Sequence, residues 1–294
     1  MVSRARVERL GSLRQLSGVT EAEFIAALRT LPLHPGAHGL LDDSATLSIG
    51  GETLVLTHDA IAEGVHYKPG TDPADIAWKL VAVNLSDLAA KGAEPIGVLI
   101  GATLSDQRFI EGLREILETY NVPLLGGDTI AVSPAVFGCT AIGRAPVVPM
   151  RTGAKPGDSL WVTGAIGAAY RDFATDGPAY LRPRPRLSEG RALAPHVTAM
   201  MDVSDGLLLD ASRMASASNC TAEIGLAAIP FAPGTIDKLA AATWGDDYEL
   251  LFAAPPGFTP PIPATRIGSF IASGPEPLLL DGARPPEKLG YQHR

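Results

Sequence analysis

The 294-residue chain has little of several features that would place it in a special class. Its two cysteines, Cys139 and Cys220, lie far apart and match neither a zinc-binding spacing nor a disulfide framework. Basic residues number 24 against 32 acidic ones, and a net charge of −8 without a basic run excludes an obvious nucleic-acid surface. No stretch approaches the ~20 apolar residues of a membrane span, and the first residues lack the apolar run of a secretory signal. We therefore expect a cytoplasmic globular protein.

What is present is an interleaved series of strand and helix patterns. The clearest helix has Asp72 as its N-cap and Pro73 at its first position, and it ends at Gly92. A second helix is expected after Ser105, and strand patterns cover residues 53–57, 97–101, 122–125, 135–144, 159–163, 199–206 and 246–252. Several strands have short connections, which disfavours a doubly wound parallel sheet. The predicted class is α+β, with two mixed lobes at 1–148 and 149–294 that join in the turn-rich passage 145–157.

One carboxylate stands out on the clearest helix. At 100° per residue, Asp87 falls on the same side as Ile76 and Leu80, where an apolar residue is expected. A carboxylate there needs a cation, hydrogen-bond donors or a shifted pKa. One interpretation is a surface ion pair with Lys91, four residues along the helix. The other is a metal ligand, which requires further acids at the same place.

Further acids do recur at strand ends and in the adjoining loops. They are Asp42, Asp43, Asp59, Asp128, Asp202 and Asp205. Any one of them alone is more often a turn or cap residue, but several together would repel one another strongly without divalent cations. Oxygen ligands of this kind suit Mg²⁺, which commonly also binds substrate phosphates. The chain has neither a P-loop nor the signature set of protein kinases, so the residues alone predict an Mg²⁺-dependent phosphate enzyme of unclassified type.

A set of motifs resembles the thiamine-monophosphate kinase family. The matching segments are residues 41–45, 57–59, 63–67, 83–93, 126–129, 151–158, 201–207 and 245–250, in the family's order. The resemblance implies transfer of the ATP γ-phosphoryl group to thiamine monophosphate, a step of thiamine biosynthesis that yields thiamine diphosphate. It also implies an N-terminal lobe that pairs in a homodimer and a C-terminal α+β sandwich.

The resemblance also implies a role for particular residues. Several Mg²⁺ ions would lie among Asp43, Thr57, His58, Asp59, Asp87, Asp128, Asp202 and Asp205. ATP would be bound by Gly127, Asp128, Arg151 and Ser204, and thiamine monophosphate by His66, Asp246 and Tyr291. The acceptor phosphate is already anionic, so no catalytic nucleophile or general base is expected, and positioning with electrostatic stabilisation would suffice.

Three positions depart from the family's commonest pattern. Leu41 replaces a glycine before the Asp pair, and His58 replaces a small hydroxyl residue, so that an imidazole meets a hard metal. Trp244-Gly245-Asp246 replaces Gly-Gly-Glu, and the shorter Asp246 is expected to reach the substrate through water.

Two alternative functions are weighed beside the kinase. One is another ATP-using enzyme of the aminoimidazole ribonucleotide synthetase superfamily, although residues 1–50 lack the cysteine that a selenophosphate synthetase needs and Cys220 is too early for a carbamoyl-dehydrating relative. The other is a non-catalytic sensor of nucleotide or thiamine phosphate.

Overall fold

The computed structural model describes residues 20–292, which form two mixed lobes of sheet and helix. The helices are α1 (Glu21–Leu28), α2 (Pro73–Ala90), α3 (Gln107–Tyr120), α4 (Ala168–Phe173), α5 (Pro178–Leu181), α6 (Leu187–Leu193), α7 (Leu207–Ala217) and α8 (Lys238–Ala242). The strands are β1 (Ala45–Ile49), β2 (Glu52–Ala62), β3 (Glu94–Thr103), β4 (Leu124–Ile130), β5 (Val136–Arg144), β6 (Ser159–Thr163), β7 (Ala199–Asp202), β8 (Cys220–Ile224), β9 (Leu250–Ala254), β10 (Ala264–Ala272) and β11 (Leu278–Leu280). No helix in this range is long and apolar enough to cross a membrane.

Each lobe has its own sheet. The first has the strand order β1-β2-β5-β3-β4 and the second the order β11-β8-β10-β6-β9-β7. Neighbouring strands are antiparallel except for the pairs β3–β4 and β8–β11, which are parallel. The predicted α+β class with two mixed lobes is therefore confirmed. The boundary at 148/149 lies between β5 and β6 and stays a prediction.

The helix α2 lies between the lobes. All its residues except Pro73 and Asp75 are buried, and its core extends to Leu250 and Phe252 of the second sheet. Close packing against α6 depends on a glycine, since a Cβ at Gly190 would lie 1.9 Å from a backbone oxygen of α2. A helix buried all round can hold a polar side chain only if the surrounding structure supplies its partners.

Several elements agree with the sequence patterns. The N-cap Asp72 accepts a hydrogen bond from the Ala74 amide at 2.9 Å, and α2 ends just before Gly92, whose φ is 60°. Strand β6 covers the predicted residues 159–163. The sequence of residues 1–30 also predicts one or two short helices with a capped start at residues 19–23, and α1 begins there with a capping box between Thr20 and Glu23. The part of that prediction before Thr20 lies outside the described residues.

Other boundaries were wrong. The strand predicted at 53–57 continues to Ala62, so that Asp59 lies within it, because alternate side chains face a buried layer over the whole length of β2. The late strand begins only at Leu250, since Asp246 and Tyr248 have positive φ values of 60° and 51°, which a strand does not accommodate. The N-cap of α3 is Asp106, one residue after the predicted Ser105. The strand predicted at 199–206 ends at Asp202, because its pairing with β9 ends where Asp202 meets Leu250.

Candidate active site

A cavity of about 1310 Å³ lies where the two lobes meet. Its walls come from α1, the loop before β1, the middle of β2, α2, the loop after β7, α7 and the C-terminal segment. Ten predicted site residues and neighbours are among those that line it: Asp42, Asp43, Asp59, His66, Asp87, Arg151, Ser204, Asp205, Asp246 and Tyr291. Residues from distant parts of the chain therefore share one solvent-filled space.

Three carboxylates converge at one point, and two of them, Asp43 and Asp87, lie in the wall of this cavity. Asp43, Asp87 and Asp202 each offer an oxygen, and these oxygens lie within 4.8 Å of one another. Asp87 and Asp202 are only 6% and 2% exposed, and they come from α2 of the first lobe and β7 of the second. The group thus spans the lobe junction, and the apolar-face position of Asp87 is confirmed.

Hydroxyl groups hold the two buried carboxylates. Thr57 Oγ1 donates to Asp87 Oδ2, and Ser86 Oγ donates to Asp202 Oδ2 at 2.6 Å. Ser86 and Asp87 are consecutive on α2. The same helical turn therefore carries the Asp87 carboxylate and, through the Ser86 hydroxyl, positions the Asp202 carboxylate. The buried helix therefore sets the relative positions of acids from both lobes.

Burial and mutual repulsion raise the pKa values of Asp87, Asp202 and Asp59. Burial, followed by the charges of Asp59, Asp202 and Asp43, raises the pKa of Asp87 well above its usual value. Burial and the charge of Asp43 raise the pKa of Asp202 to about 7 and that of Asp59 to about 6. A raised pKa in an acid means that its ionised form is unfavourable, and a bound cation would remove that penalty.

The ligand chemistry of this group fits Mg²⁺. It consists of carboxylate oxygens with the hydroxyl of Thr57 beside them, and within residues 20–292 no cysteine or histidine joins the three converging acids. Hard divalent cations prefer oxygen ligands, with Mg²⁺ typically taking one or two carboxylates plus water and phosphate oxygens. The three carboxylates are close enough together to share cations of this type.

The interpretation of Lys91 as a surface partner of Asp87 was wrong. Lys91 is fully buried, and its Nζ lies 2.5 Å from Asp42 Oδ1 and 3.3 Å from the Met200 carbonyl oxygen. The Lys91 side chain thus contacts the loop before β1 and strand β7 of the second lobe, and not the acid four residues earlier on its own helix. Asp42 is thereby paired with a buried lysine, which occupies its Oδ1.

Asp42 also organises its neighbours. Its Oδ1 accepts a hydrogen bond from the Asp43 amide at 2.9 Å, and its Oδ2 accepts one from the Arg151 amide at 2.7 Å. With its side chain 1% exposed, the carboxylate ties the loop before β1 to the first residues of the second lobe. Asp42 therefore fixes the backbone positions of Asp43 and Arg151, two residues that line the cavity.

Arg151 faces the carboxylates from the second lobe. Its guanidinium forms an ion pair with Asp43, and its Nε is buried without a hydrogen-bond partner in the described part of the chain. A buried unpaired donor is unfavourable unless a ligand satisfies it. Although the crowded pocket raises the pKa of Asp43, the charges of Arg151 and Lys91 lower it below its usual value. Asp43 is thus ionised more readily than Asp87 and Asp202.

The other end of the cavity combines a buried lysine with an acid. Lys79 is 2% exposed, and its Nζ lies 3.0 Å from both Asp246 Oδ2 and the His66 carbonyl oxygen. The same ammonium group lies 4.1 Å from the ring centroid of Tyr180, while the Tyr248 hydroxyl donates to Asp246 Oδ1 at 3.0 Å. Asp246 is held in place by a cation and a phenol.

Aromatic rings surround this end. Phe173 lies 4.8 Å from Trp244 and 5.0 Å from Tyr180, measured between ring centroids, and all three line the cavity. Tyr291 also lines it, and the Tyr291 amide donates to the Asp205 carbonyl oxygen at 2.8 Å. The residue near the chain end is therefore attached to the loop that follows β7. This end suits a flat organic group.

His58 lies on the other side of its strand. Side chains alternate along β2, so that Thr57 and Asp59 face the helix-covered side and His58 the opposite one. There His58 Nδ1 lies 2.8 Å from Thr140 Oγ1. Its imidazole is not brought to the three converging carboxylates.

Gly127 and Asp128 are also separated from the carboxylates. Asp128 on β4 pairs with Gly101, Gly101 with Gly138, and Gly138 with Ala60. Three strand spacings of roughly 4.8 Å put Asp128 about 14 Å from β2. Both Gly127 and Asp128 are exposed on the edge strand. Within one chain, the structure therefore does not bring these two residues to the cavity.

Sequence reasoning missed four charged residues around the cavity. They are Lys79, Asp210 and Arg213, together with Lys91 in its buried role. Lys79 carried a usable signal, because a cation inside an otherwise apolar helix is as anomalous as the carboxylate of Asp87. Asp210 and Arg213 resemble an ordinary helix-surface pair at i,i+3, and only the fold shows that Asp210 is fully buried.

Comparisons with known families agree with this architecture. Residues 41–145 match the model of the AIR synthase related protein, N-terminal domain, and residues 155–259 that of the C-terminal domain. The thiamine-monophosphate kinase of Escherichia coli K12 is 36% identical over 250 residues, covering 74% of this chain and 76% of that protein. That of Caulobacter vibrioides is 38% identical over 273 residues, covering 81% and 77% respectively.

Solved structures of similar proteins have the same fold as this chain. The structure of AaThiL complexed with AMPPCP and TMP superposes with a TM-score of 0.84 at 26% identity, covering 94% of this chain and 97% of that one. Thiamine-monophosphate kinase from Stenotrophomonas maltophilia K279a superposes with a TM-score of 0.73 at 31% identity, covering 91% and 98%. The hydrogenase maturation protein HypE, at 18% identity and a TM-score of 0.65, shares the fold.

Proposed function

Because the chain belongs to the thiamine-monophosphate kinase family, we propose that it transfers the γ-phosphoryl group of ATP to thiamine monophosphate, giving thiamine diphosphate and ADP. The observation that supports this most strongly is the convergence of Asp43, Asp87 and Asp202, of which Asp43 and Asp87 line a cavity together with Arg151. Carboxylates that recruit cations, beside a guanidinium that binds phosphate, are what transfer between two polyanions requires.

Several Mg²⁺ ions are the proposed cofactor. Asp43, Asp87 and Asp202 would hold them, with Thr57, Asp59 and Asp205 around that group. When bound, Mg²⁺ supplies positive charge that offsets the repulsion between the phosphates of the two substrates. His58 is proposed to contribute nothing through its imidazole, which faces away.

The other site residues bind and orient. Arg151 and Ser204 are proposed to hold the phosphates of ATP from the second lobe. His66, Asp246 and Tyr291 are proposed to hold thiamine monophosphate, whose rings fit the aromatic end of the cavity. The acceptor phosphate oxygen is anionic at neutral pH, so no side chain has to remove a proton, and positioning in line is the protein's main task. A cytoplasmic location stays a prediction.

A homodimer is the proposed assembly. Helices α2 and α3 cover one face of the first sheet, while the opposite face and edge strand β4 expose apolar side chains: Ile49, Ile96, Leu99, Leu124, Leu125, Ile130 and Val136. An apolar surface of this extent typically marks an interface. A second copy of the chain is the proposed occupant, and Gly127 and Asp128 on β4 would then belong to the interface region, where their predicted ATP role would depend on the dimer.

Charging this face is expected to give a monomer. Leu99 is 38% exposed in the middle of the uncovered face, and Leu99→Glu would place a desolvated charge in the proposed interface. Sedimentation equilibrium should then report half the wild-type mass. Ile236→Glu is the control, because Ile236 is 96% exposed and lies in the second lobe. A dimeric Leu99→Glu, or a monomeric wild type, would contradict the proposal.

The activity itself is tested with purified protein, ATP, Mg²⁺ and thiamine monophosphate. We expect thiamine diphosphate to accumulate and the reaction to stop when EDTA removes the divalent cation. Tight binding of both ligands without product would favour the sensor alternative. Hydrolysis of ATP that does not depend on thiamine monophosphate would favour another enzyme of the superfamily.

A further inference from the structure

Arg213 is a cation in the cavity wall to which no role has been given. It lies on α7 and lines the same cavity as Arg151. Its Nη1 forms an ion pair with Asp205 and lies 3.2 Å from Asp210 Oδ1. The side chain is 28% exposed, and Asp210 is fully buried. Two carboxylates, one of them rigidly buried, therefore fix the direction of this guanidinium.

The rest of the guanidinium is available. An arginine has five N–H donors, but both ion pairs of Arg213 use Nη1, and its Nε and Nη2 make no hydrogen bond within residues 20–292. A guanidinium that is held at one nitrogen and open at the others is preorganised for a bidentate anion such as phosphate. Arg213 lines the cavity, so these open donors belong to a residue that a bound ligand can reach.

Arg151 lies close enough to Arg213 for the two side chains to bind one anion together. Burial and the positive charge of Arg151 both lower the pKa of Arg213, although Asp210 and Asp205 raise it overall. The two guanidinium groups are thus near enough to repel each other. Arg151 also has its buried, unpaired Nε. An anion bound between them would relieve the repulsion and satisfy open donors on both residues.

We propose that Arg213 is a second phosphate-binding residue, which together with Arg151 holds the phosphate chain of the nucleotide. This rests on the proposed function for the identity of the anion. The competing explanation is that Arg213 only positions Asp205, a predicted Mg²⁺ ligand. The two differ in their dependence on metal, because direct phosphate contact persists without Mg²⁺, whereas positioning a metal ligand matters only when Mg²⁺ is present.

The test is nucleotide affinity of the Arg213→Met variant, measured by titration calorimetry in EDTA and again in Mg²⁺. Losing a charge-assisted bidentate contact should weaken ADP and ATP binding by about tenfold to a hundredfold in both conditions. Thiamine monophosphate should bind as tightly as it does to the wild type. Arg144→Met is the matched control, since Arg144 is 53% exposed and its ion pairs within the described residues are with exposed acids. The nucleotide affinity of this variant should equal that of the wild type.

Unchanged nucleotide affinity in EDTA, with a loss only in Mg²⁺, would overturn the proposal in favour of positioning Asp205. A loss confined to thiamine monophosphate would overturn it in favour of the acceptor phosphate. Should Arg213→Met fail to fold, Arg213→Lys keeps a cation near Asp205 and Asp210 but lacks the fork; it should show the same direction of change, and wild-type affinity would again overturn the proposal. A wild type that binds ATP but makes no thiamine diphosphate would contradict the proposed function alone.

Discussion

Replacing Asp87 by asparagine is expected to lower kcat by about a hundredfold to a thousandfold, the scale of losing one preorganised electrostatic group. Asp87 lies among the other acids, and its Oδ2 accepts a hydrogen bond from Thr57. Asparagine has nearly the same shape and can keep that hydrogen bond through its carbonyl oxygen. It removes the negative charge, and with it most of the affinity for a shared cation.

Stability should change in the opposite direction. Burial and neighbouring charges raise the pKa of Asp87 well above its usual value. An acid whose pKa rises on folding destabilises the folded state at pH values above its unfolded pKa. At neutral pH in EDTA, Asp87→Asn should therefore unfold at the same temperature as the wild type or a higher one, while losing much of the stabilisation by Mg²⁺.

The matched control is Asp75→Asn on the same helix. Asp75 pairs with Arg182 at 2.5 Å and is not among the converging acids, so activity and Mg²⁺ dependence should stay near wild type. Steady-state kinetics and thermal unfolding with and without Mg²⁺ measure all these quantities. An Asp87→Asn enzyme with wild-type kcat and unchanged Mg²⁺ dependence would show that Asp87 is not a metal ligand.

Replacing Lys91 by methionine is expected to destabilise the fold by about 3–5 kcal/mol, the usual cost of leaving one partner of a buried ion pair uncompensated. Lys91 and Asp42 are 0% and 1% exposed in their side chains, and Nζ lies 2.5 Å from Oδ1. Methionine matches the length of lysine and leaves little cavity, so the main loss is the charge that Asp42 requires. Urea unfolding gives the free energy directly.

The double variant Lys91→Met/Asp42→Asn separates the charge from the packing. With both charges removed, part of the lost stability should return, because a neutral pair needs no buried counter-ion. The return should be incomplete, since the asparagine NH2 cannot accept the hydrogen bond that the Arg151 amide donates to Asp42 Oδ2. Arg144→Met removes an exposed ion pair and should cost less than about 1 kcal/mol. A loss of that small size for Lys91→Met would contradict the buried-pair account, as would a double variant no more stable than the single one.

Local signals sufficed where the chain specifies its own structure. Asp72, Pro73 and Gly92 mark both ends of α2, since capping and helix termination act through nearest neighbours. The position of Asp87 among apolar side chains followed from helical periodicity alone. Local signals failed at Asp246 and Tyr248, where a strand-like composition hides a left-handed backbone.

Partners distant along the chain could not be predicted. Asp87, four residues before Lys91, was the nearest acid in the sequence to form an ion pair with it. Only the packing of the lobes shows that Lys91 pairs with Asp42 instead. The separation of His58 from Thr57 depends on which face of β2 is covered, which requires the position of α2. The convergence of Asp43, Asp87 and Asp202 is observed, while their role as metal ligands stays a prediction.

The most direct test of the account follows the labelled phosphoryl group of [γ-³²P]ATP in the presence of thiamine monophosphate and Mg²⁺. Direct transfer between phosphates predicts that the label moves into thiamine diphosphate, with one ADP formed for each labelled product and no label on the protein. Label released as inorganic phosphate, retained in ATP, or found on a side chain would contradict it.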